Sequence, residues 1–347
     1  MLIYYTLLGA AVSVPDPAVL IFATSAQERC QRVHAIGIDI GGTKIAGALV
    51  DEFGTIIRSE RRPTSAGDPG EIEDAVVAMI TSLAEGEEVI AAGVAAAGFI
   101  DAAQSTVYYA PNINWRNEPL REKLEARIDL PITIENDANA AGWAEFCFGA
   151  GRLYSDMVTL TIGTGVGGAI VSRDKLFLGG FGVGAELGHL RLIPGGLPCG
   201  CGAHGCIEQY GSGRALLRIS NEFADAGGIG LGLAAARART GTLSGEDVSA
   251  LIQAGDGGAL AALRQLGSAL GQACASLAAV LDPQVFVFGG GVAAAGELLL
   301  EPIRAAYLEH LPARGYHPEA EFMIAQLVND AGVVGAADLA RKHALEQ

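Results

Sequence analysis

The stretch "IGIDIGGTKIAGALVDEFG", residues 36–54, sets an acid, Asp39, inside an apolar run that reads as a buried strand, and follows it at once with two glycines. An unpaired charge in a core costs on the order of several kcal/mol, so such a residue has a partner or a task. Outward from it the pattern runs strand, Gly-Gly turn, returning strand over 45–50, a "DEFG" turn and a third strand through Arg58. That is an antiparallel meander. "DIGGTK" is not the P-loop, which needs four residues between its glycine and its Gly-Lys, nor the dinucleotide fingerprint. A tight hairpin whose glycines only supply positive φ uses the same residues.

Further along, Asp68-Pro69 opens a helix with Ile72, Val76 and Ile80 on one face, and "VIAAGVAAAG" over 89–98 reads as a strand. After a polar loop, "LPITIEN" is another strand leading into a helix over 138–148. A meander followed by strand–helix crossovers predicts the α/β class. A second meander begins at Asp156, and "IGTGVGGAIV" (162–171) echoes "IGGTKIAGALV" (40–50). This weak internal repeat predicts two similar halves facing each other across a cleft. Two opposed glycine turns would offer converging backbone N–H groups to an anion such as a phosphate chain. A carboxylate at a strand end beside them suits a hydrated Mg²⁺. Residues 221–258, rich in Ala and Gly, read as helical packing with no functional signal.

Three other segments carry candidate chemistry. In "ITIENDANAAGWAEF", Asn136 and Asp137 stand where an Asx residue caps a helix, a contribution of about 1 kcal/mol. With Glu135 they also form three polar groups at the C-terminal end of a strand, where open α/β sheets bind ligands. In "AELGHLRLIPGGLPCGCGAHGCIEQYGSG", Cys199, Cys201 and Cys206 with either His189 or His204 offer the donors of a closed tetrahedral zinc site. Such a zinc is structural, and it would fix Glu186 and Glu208, paired acceptors suited to a polyol. In "VFVFGGGVAAAGELL" a strand runs into Gly289, Gly290 and Gly291 and then a helix, which allows a flat or anionic ligand close to the backbone.

Composition bounds these readings. The 347 residues are 50% hydrophobic and 18% charged, enough for two domains with large cores. With 39 acids against 23 bases the formal charge is −16, which opposes nucleic acid and anionic membranes as partners. Glycine, 48 residues, is about twice its usual share and marks turns and close approaches. Six cysteines, three of them crowded together, point to metal in a reducing compartment, hence the cytoplasm. The first 33 residues are apolar, without Lys or Arg before Glu28, and Pro15-Asp16-Pro17 breaks the run too early for a membrane span. They read as a dispensable extension and not as a signal peptide.

Taken together and in this order, "DIGGTK", "ENDANAA", "GTGVGGAI", "ELGH" with "CGCGAHGC", and "GGGV" resemble the ROK family (repressors, open reading frames, kinases) of the actin-like ATPase superfold over residues 36–341. Within it the chain is most similar to the actinobacterial ATP-dependent glucokinases, through "STVYYAPNINWRNEPL" (105–120) and "AQLVNDAGVVGAADLA" (325–340). The resemblance implies an actin-like (ribonuclease H-like) fold of two α/β domains around a cleft. The smaller would take 34–141 plus 331–347, and the larger, with the zinc loop, 142–330.

The same resemblance implies transfer of the ATP γ-phosphoryl group to the 6-hydroxyl of glucose, with Asp137 as general base. Gly98, Asn136, Glu186, His189 and Glu208 would join it in holding the sugar. Asp39 would order Mg²⁺ through water, and Gly41, Gly42, Thr43 and Lys44 would meet the terminal phosphates. Gly163, Thr164 and Gly165 would form the second phosphate turn, with Gly289, Gly290 and Gly291 beside the adenosine. His189, Cys199, Cys201 and Cys206 would bind zinc. Ala97 departs from the proline that many members carry before the sugar-loop glycine. A homo-oligomer, dimer or tetramer, is expected. The rivals within the family are kinases for another hexose or an N-acetylhexosamine, kinases using polyphosphate, and sugar-responsive transcriptional regulators. The regulators carry a helix-turn-helix ahead of the kinase-like part, and here 33 apolar residues and an acidic charge stand in its place.

Overall fold

In a computed structural model, residues 33–64, 68–110 and 113–346 are described, so the reading of the N-terminal extension falls, but for residue 33, outside them. Strand β1 (His34–Ile40) turns its isoleucines Ile36, Ile38 and Ile40 to one face and Ala35 to the other. It pairs antiparallel with β2 (Lys44–Val50), which pairs antiparallel with β3 (Ile56–Pro63). The meander is as the sequence implies, but β3 continues five residues past Arg58. Its sequence, IIRSERRP, lies on the sheet edge with both faces largely in solvent, so no apolar alternation marks its end.

Helix α1 (Pro69–Ala84) begins where Asp68 accepts from the Gly70 and Glu71 amides and buries Ile72, Val76 and Ile80 with Met79 and Leu83. Strand β4 (Val89–Ala96) lies parallel to β1, and β8 (Ile132–Asn136) lies parallel to β4. Between them the expected polar loop instead holds a three-stranded sheet, β5 (Phe99–Ile100), β6 (Val107–Ala110) and β7 (Trp115–Glu118), then helix α2 (Leu120–Glu125). Helix α3 (Asp137–Phe148) follows β8 directly.

The second meander is β9 (Met157–Ile162), β10 (Val166–Ser172) and the short β11 (Lys175–Leu176). Helices α4 (Glu208–Gly211), α5 (Gly213–Ala226), α6 (Leu231–Thr240), α7 (Gly245–Gln253) and α8 (Gly257–Leu281) come next. Then follow β12 (Val285–Gly289), α9 (Glu297–His310), β13 (Glu321–Ile324) and α10 (Ala331–Leu345). The sheet orders are β3-β2-β1-β4-β8 and β11-β10-β9-β12-β13. The weak repeat in the sequence is therefore one topology used twice, a hairpin-linked meander extended by two parallel crossovers.

The apolar Ile36/Ile38/Ile40 face packs against α1. The opposite face lies under α10 so closely that a Cβ on Gly37 would sit 1.8 Å from the Val333 carbonyl oxygen. A shared cluster of Ala95, Trp143, Met157, Val287 and Leu339 draws on both sheets and both covering helices. The C-terminal ends of β4 and β8 in one sheet and of β9 and β12 in the other meet at the resulting cleft.

Candidate active site

The β8–α3 corner separates two duties between neighbours. Asn136 caps the helix, its Oδ1 accepting from the amides of Ala138 (2.9 Å) and Asn139 (3.1 Å), while its Nδ2 donates to the Gly98 carbonyl at 3.0 Å. Asp137, which the sequence reading placed just ahead of the helix, is its first residue. Its carboxylate accepts from the Ala138 amide through Oδ1 and faces a cavity of about 780 Å³. Burial raises its pKa, partly offset by that backbone hydrogen bond. Gly98, Asn136, Asp137, Glu186, His189 and Glu208 all line this one cavity, although they come from four separate parts of the chain. Phe99 and Tyr109, absent from the sequence reading, complete its wall as stacked rings 6.4 Å apart.

Asp39 lies at the end of β1, half-buried, and its pKa is pushed up to about 6, first by burial and then by the charge of Asp137, with Lys44 opposing. The first turn of α10 leaves it space: a Cβ on Gly332 would fall 2.6 Å from Asp39 Oδ2. The adjoining turn closes through the Gly41 amide on the Lys44 carbonyl at 3.0 Å and leaves Gly42, Thr43 and Lys44 exposed, outside the lining of the cavity that Asp137 faces.

The opposing turn is held more firmly. The Gly163 amide donates to the Gly165 carbonyl, and the Gly163 and Thr164 carbonyls accept from the Gly213 amide (2.8 Å) and Arg214 Nε (3.0 Å). Gly163 and Thr164 border a second cavity of about 790 Å³, whose walls include Leu216, Leu217, Val248, Ile252 and Val292. Of the triple glycine, Gly291 lines this second cavity, Gly290 the first, and Gly289 is buried at the end of β12. Ser244, Gly245, Glu246 and Ser249 also reach the second cavity, which corrects the reading of 221–258 as packing alone. The one local signal there, the Ser244–Asp247 capping box, marks a helix start and not a ligand.

The cysteine loop gathers His189, Cys199, Cys201 and Cys206 so that their ligand atoms all lie within 4.8 Å of one another. Cys199 Sγ is 3.7 Å from His189 Nδ1, and Cys201 Sγ is 3.7 Å from Cys206 Sγ. A zinc tetrahedron with bonds of about 2.3 Å to sulfur has edges of about 3.8 Å, so the donors fit that ion. Burial and the neighbouring thiols push Cys206 up to about 12, so without a cation the three sulfurs cannot all ionise. Between the two histidines left open by the sequence, geometry selects His189, while the backbone of His204 pairs with Pro198. The loop also carries Glu208, whose Oε2 accepts from the Val166 amide at 3.3 Å and whose Oε1 is 3.9 Å from Cys199 Sγ. Glu186 sits one residue before the single turn Leu187–His189, its pKa raised chiefly by burial and held back by His189.

A model of the ROK family matches residues 35–343. The chain belongs to the ROK family. This ROK protein is 45% identical over 309 residues to a glucokinase of Streptomyces coelicolor, covering 88% of this chain and 97% of that one. An N-acetylmannosamine kinase of Escherichia coli is 34% identical over 311 residues, 88% of this chain and 98% of the relative. Among solved structures, the ROK family glucokinase from Streptomyces griseus in complex with glucose and AMPPNP superposes with a TM-score of 0.78 at 44% identity, covering 89% of this chain and 99% of that one. The fold is accordingly the actin-like ATPase fold of the ROK sugar kinases.

Proposed function

We propose that this ROK protein is an ATP-dependent glucokinase, transferring the γ-phosphoryl group of ATP to the 6-hydroxyl of glucose. The observation that carries the reading is the junction of two cavities: a more polar one holding Asp137 among hydroxyl acceptors, and a more apolar one, both bordered by Gly163. Phosphoryl transfer asks a protein mainly for positioning, charge neutralisation and a base at the nucleophile. Asp137 takes the proton from the sugar hydroxyl. Gly98, Asn136, Glu186, His189 and Glu208 hold the remaining hydroxyls, and with His189 Nδ1 turned to the cysteine cluster its Nε2 is the nitrogen free to donate. The turn of Gly41, Gly42 and Thr43, with Lys44, meets the terminal phosphates from one side and that of Gly163, Thr164 and Gly165 from the other, the Gly41 and Gly163 amides closing their turns and leaving the amides of the residues after them to the phosphates. Adenosine occupies the apolar cavity beside Gly289, Gly290 and Gly291, a surface for which a polyphosphate donor has no use.

Asp39 would hold Mg²⁺ through water, and that ion, when bound, would neutralise charge on the phosphate oxygens. His189, Cys199, Cys201 and Cys206 suit a structural Zn²⁺ that fixes the sugar-side loop. The domain division at 34–141 with 331–347 and at 142–330 belongs to the same proposal, as do a homo-oligomer and a cytoplasmic location. Among the described residues no helix is long and apolar enough to cross a membrane.

A coupled assay of glucose, mannose, N-acetylglucosamine and N-acetylmannosamine, each against ATP and polyphosphate, tests the reading. Preference for glucose with ATP is expected. Preference for an N-acetylated sugar would move the assignment to the kinase class of the E. coli relative.

A further inference from the structure

Glu135 is the one member of the Glu135-Asn136-Asp137 run that the mechanism leaves idle, and it is 2% exposed. Its Oε1 accepts from the Asn136 amide at 2.8 Å and from Asn139 Nδ2 at 3.0 Å, one turn into α3. Its Oε2 accepts from Gln104 Nε2 at 2.7 Å, across from the loop between β5 and β6. Gln104 is tied to the same strand a second time, since its carbonyl accepts from the Ile134 amide at 2.9 Å. Arg121 Nη2 then clamps that loop through the carbonyls of Ala103 and Gln104, each at 2.7 Å. Gln104 adopts φ 55°, a left-handed conformation a non-glycine residue keeps only where its surroundings impose it.

We propose that Glu135 and Gln104 are positioning residues for phosphoryl transfer, locking the Asn136–Asp137 corner to the wall of the sugar cavity. The proposal rests on Asp137 as base and Asn136 as sugar ligand. Asn136 already bridges to Gly98 in front of β5, so the Glu135–Gln104 bond fixes the second point of the same corner against the β5–β6 loop. Two points of attachment stop the corner from rocking, and a misplacement of about 1 Å at such a site costs on the order of a hundredfold in rate.

Partner chemistry supplies the test. All three groups on Glu135 are N–H donors, so in Glu135→Gln the Gln104 amide turns over to accept, and little is lost. Gln104→Glu instead sets carboxylate against carboxylate, and Gln104→Leu removes the donor with the same backbone strain. Both variants should lower kcat for glucose roughly tenfold to a hundredfold and raise the glucose KM, with the ATP KM unchanged. The swap Gln104→Glu with Glu135→Gln, which restores a donor–acceptor pair, should recover most of that loss. Unchanged glucose kinetics in folded Gln104→Leu, or no recovery in the swap, overturns the proposal; a loss that follows only the folded fraction, lowering apparent kcat with both KM values unchanged, overturns it too. Asp137→Asn measured alongside separates the two ideas. If that variant is inactive while Gln104→Leu is normal, only the positioning role falls; if it is fully active, the base assignment falls and the positioning role with it.

Discussion

Asp39, at the end of β1, and Asp137, the residue that follows β8, are nearly a hundred residues apart and stand across β4 from one another in one sheet, so close that the charge of Asp137 helps push Asp39 up to about 6. The folded state therefore holds a proton on Asp39 more tightly than the unfolded chain, whose ordinary value is 3.8. Its favourable contribution is complete below that value and is lost as pH rises through about 6. At pH 7.5 the ionised carboxylate strains the ligand-free protein. Asp39→Asn should accordingly raise the ligand-free melting temperature at pH 7.5 by a few degrees, lose that advantage near pH 4, and lower turnover by roughly 10². Calorimetry across pH decides it, and a lower melting temperature at pH 7.5 would remove the strain argument.

Asp137→Asn keeps the shape of the corner and removes the proposed base. Turnover should fall by roughly 10²–10⁴ while glucose still binds, as titration calorimetry would report. In the unaltered protein, burial holds the Asp137 pKa above the ordinary carboxylate range and Asp39 is pushed to about 6, so both reach their working, ionised form only as pH rises. The acid limb of kcat/KM for glucose should therefore lie above the usual carboxylate range. An acid limb at the ordinary value, or near-normal turnover in the variant, would exclude Asp137.

Much of this site is legible in the sequence because local rules write it there. Ile36, Ile38 and Ile40 alternate as a one-sided strand must, and Asp68 and Asn136 cap the helices that follow them. The cysteine spacing brings its own ligands together. What stays hidden has no local period. Strands β5, β6 and β7 span two to four residues each, too short for alternation to register. Helix α7 reads as an ordinary amphipathic helix, burying Val248 and Ile252, and only tertiary packing turns Ser244, Glu246 and Ser249 toward the second cavity. The space Gly332 leaves beside Asp39 joins positions some three hundred residues apart, and a single sequence carries no sign of it.

The apolar cavity makes the donor testable apart from the acceptor. Val292 lines it at the turn following β12 and is only half-buried, so a substitution there spares the core. Val292→Asp sets a carboxylate where adenosine would bury the valine, a loss on the order of 1.5–3 kcal/mol. The KM for ATP should rise tenfold or more, since each 1.4 kcal/mol is about a factor of ten, with the glucose KM unchanged. An unchanged KM for ATP in Val292→Asp would instead mean that the cavity is not the donor site.

On the proposed reading the cysteine loop should couple stability to sugar binding, because His189 belongs to both the donor cluster and the cavity wall, and Glu208 follows Cys206 by two residues. Removing the ion should leave three sulfurs in mutual contact, with Cys206 protonated by burial, and release both side chains from one arrangement. Cys201, exposed at the mouth of the loop, is the proposed ligand that can be altered with least damage to packing. Cys201→Ser, or prolonged chelation, should abolish stoichiometric zinc by elemental analysis, lower the melting temperature and raise the glucose KM together. Cys147→Ala, a thiol outside the cluster, should change none of the three. A zinc-free protein with unaltered glucose affinity would show that the loop holds its shape through the Val166 amide on Glu208 and the Arg191 contact to Cys206, and would retire the metal from the sugar site.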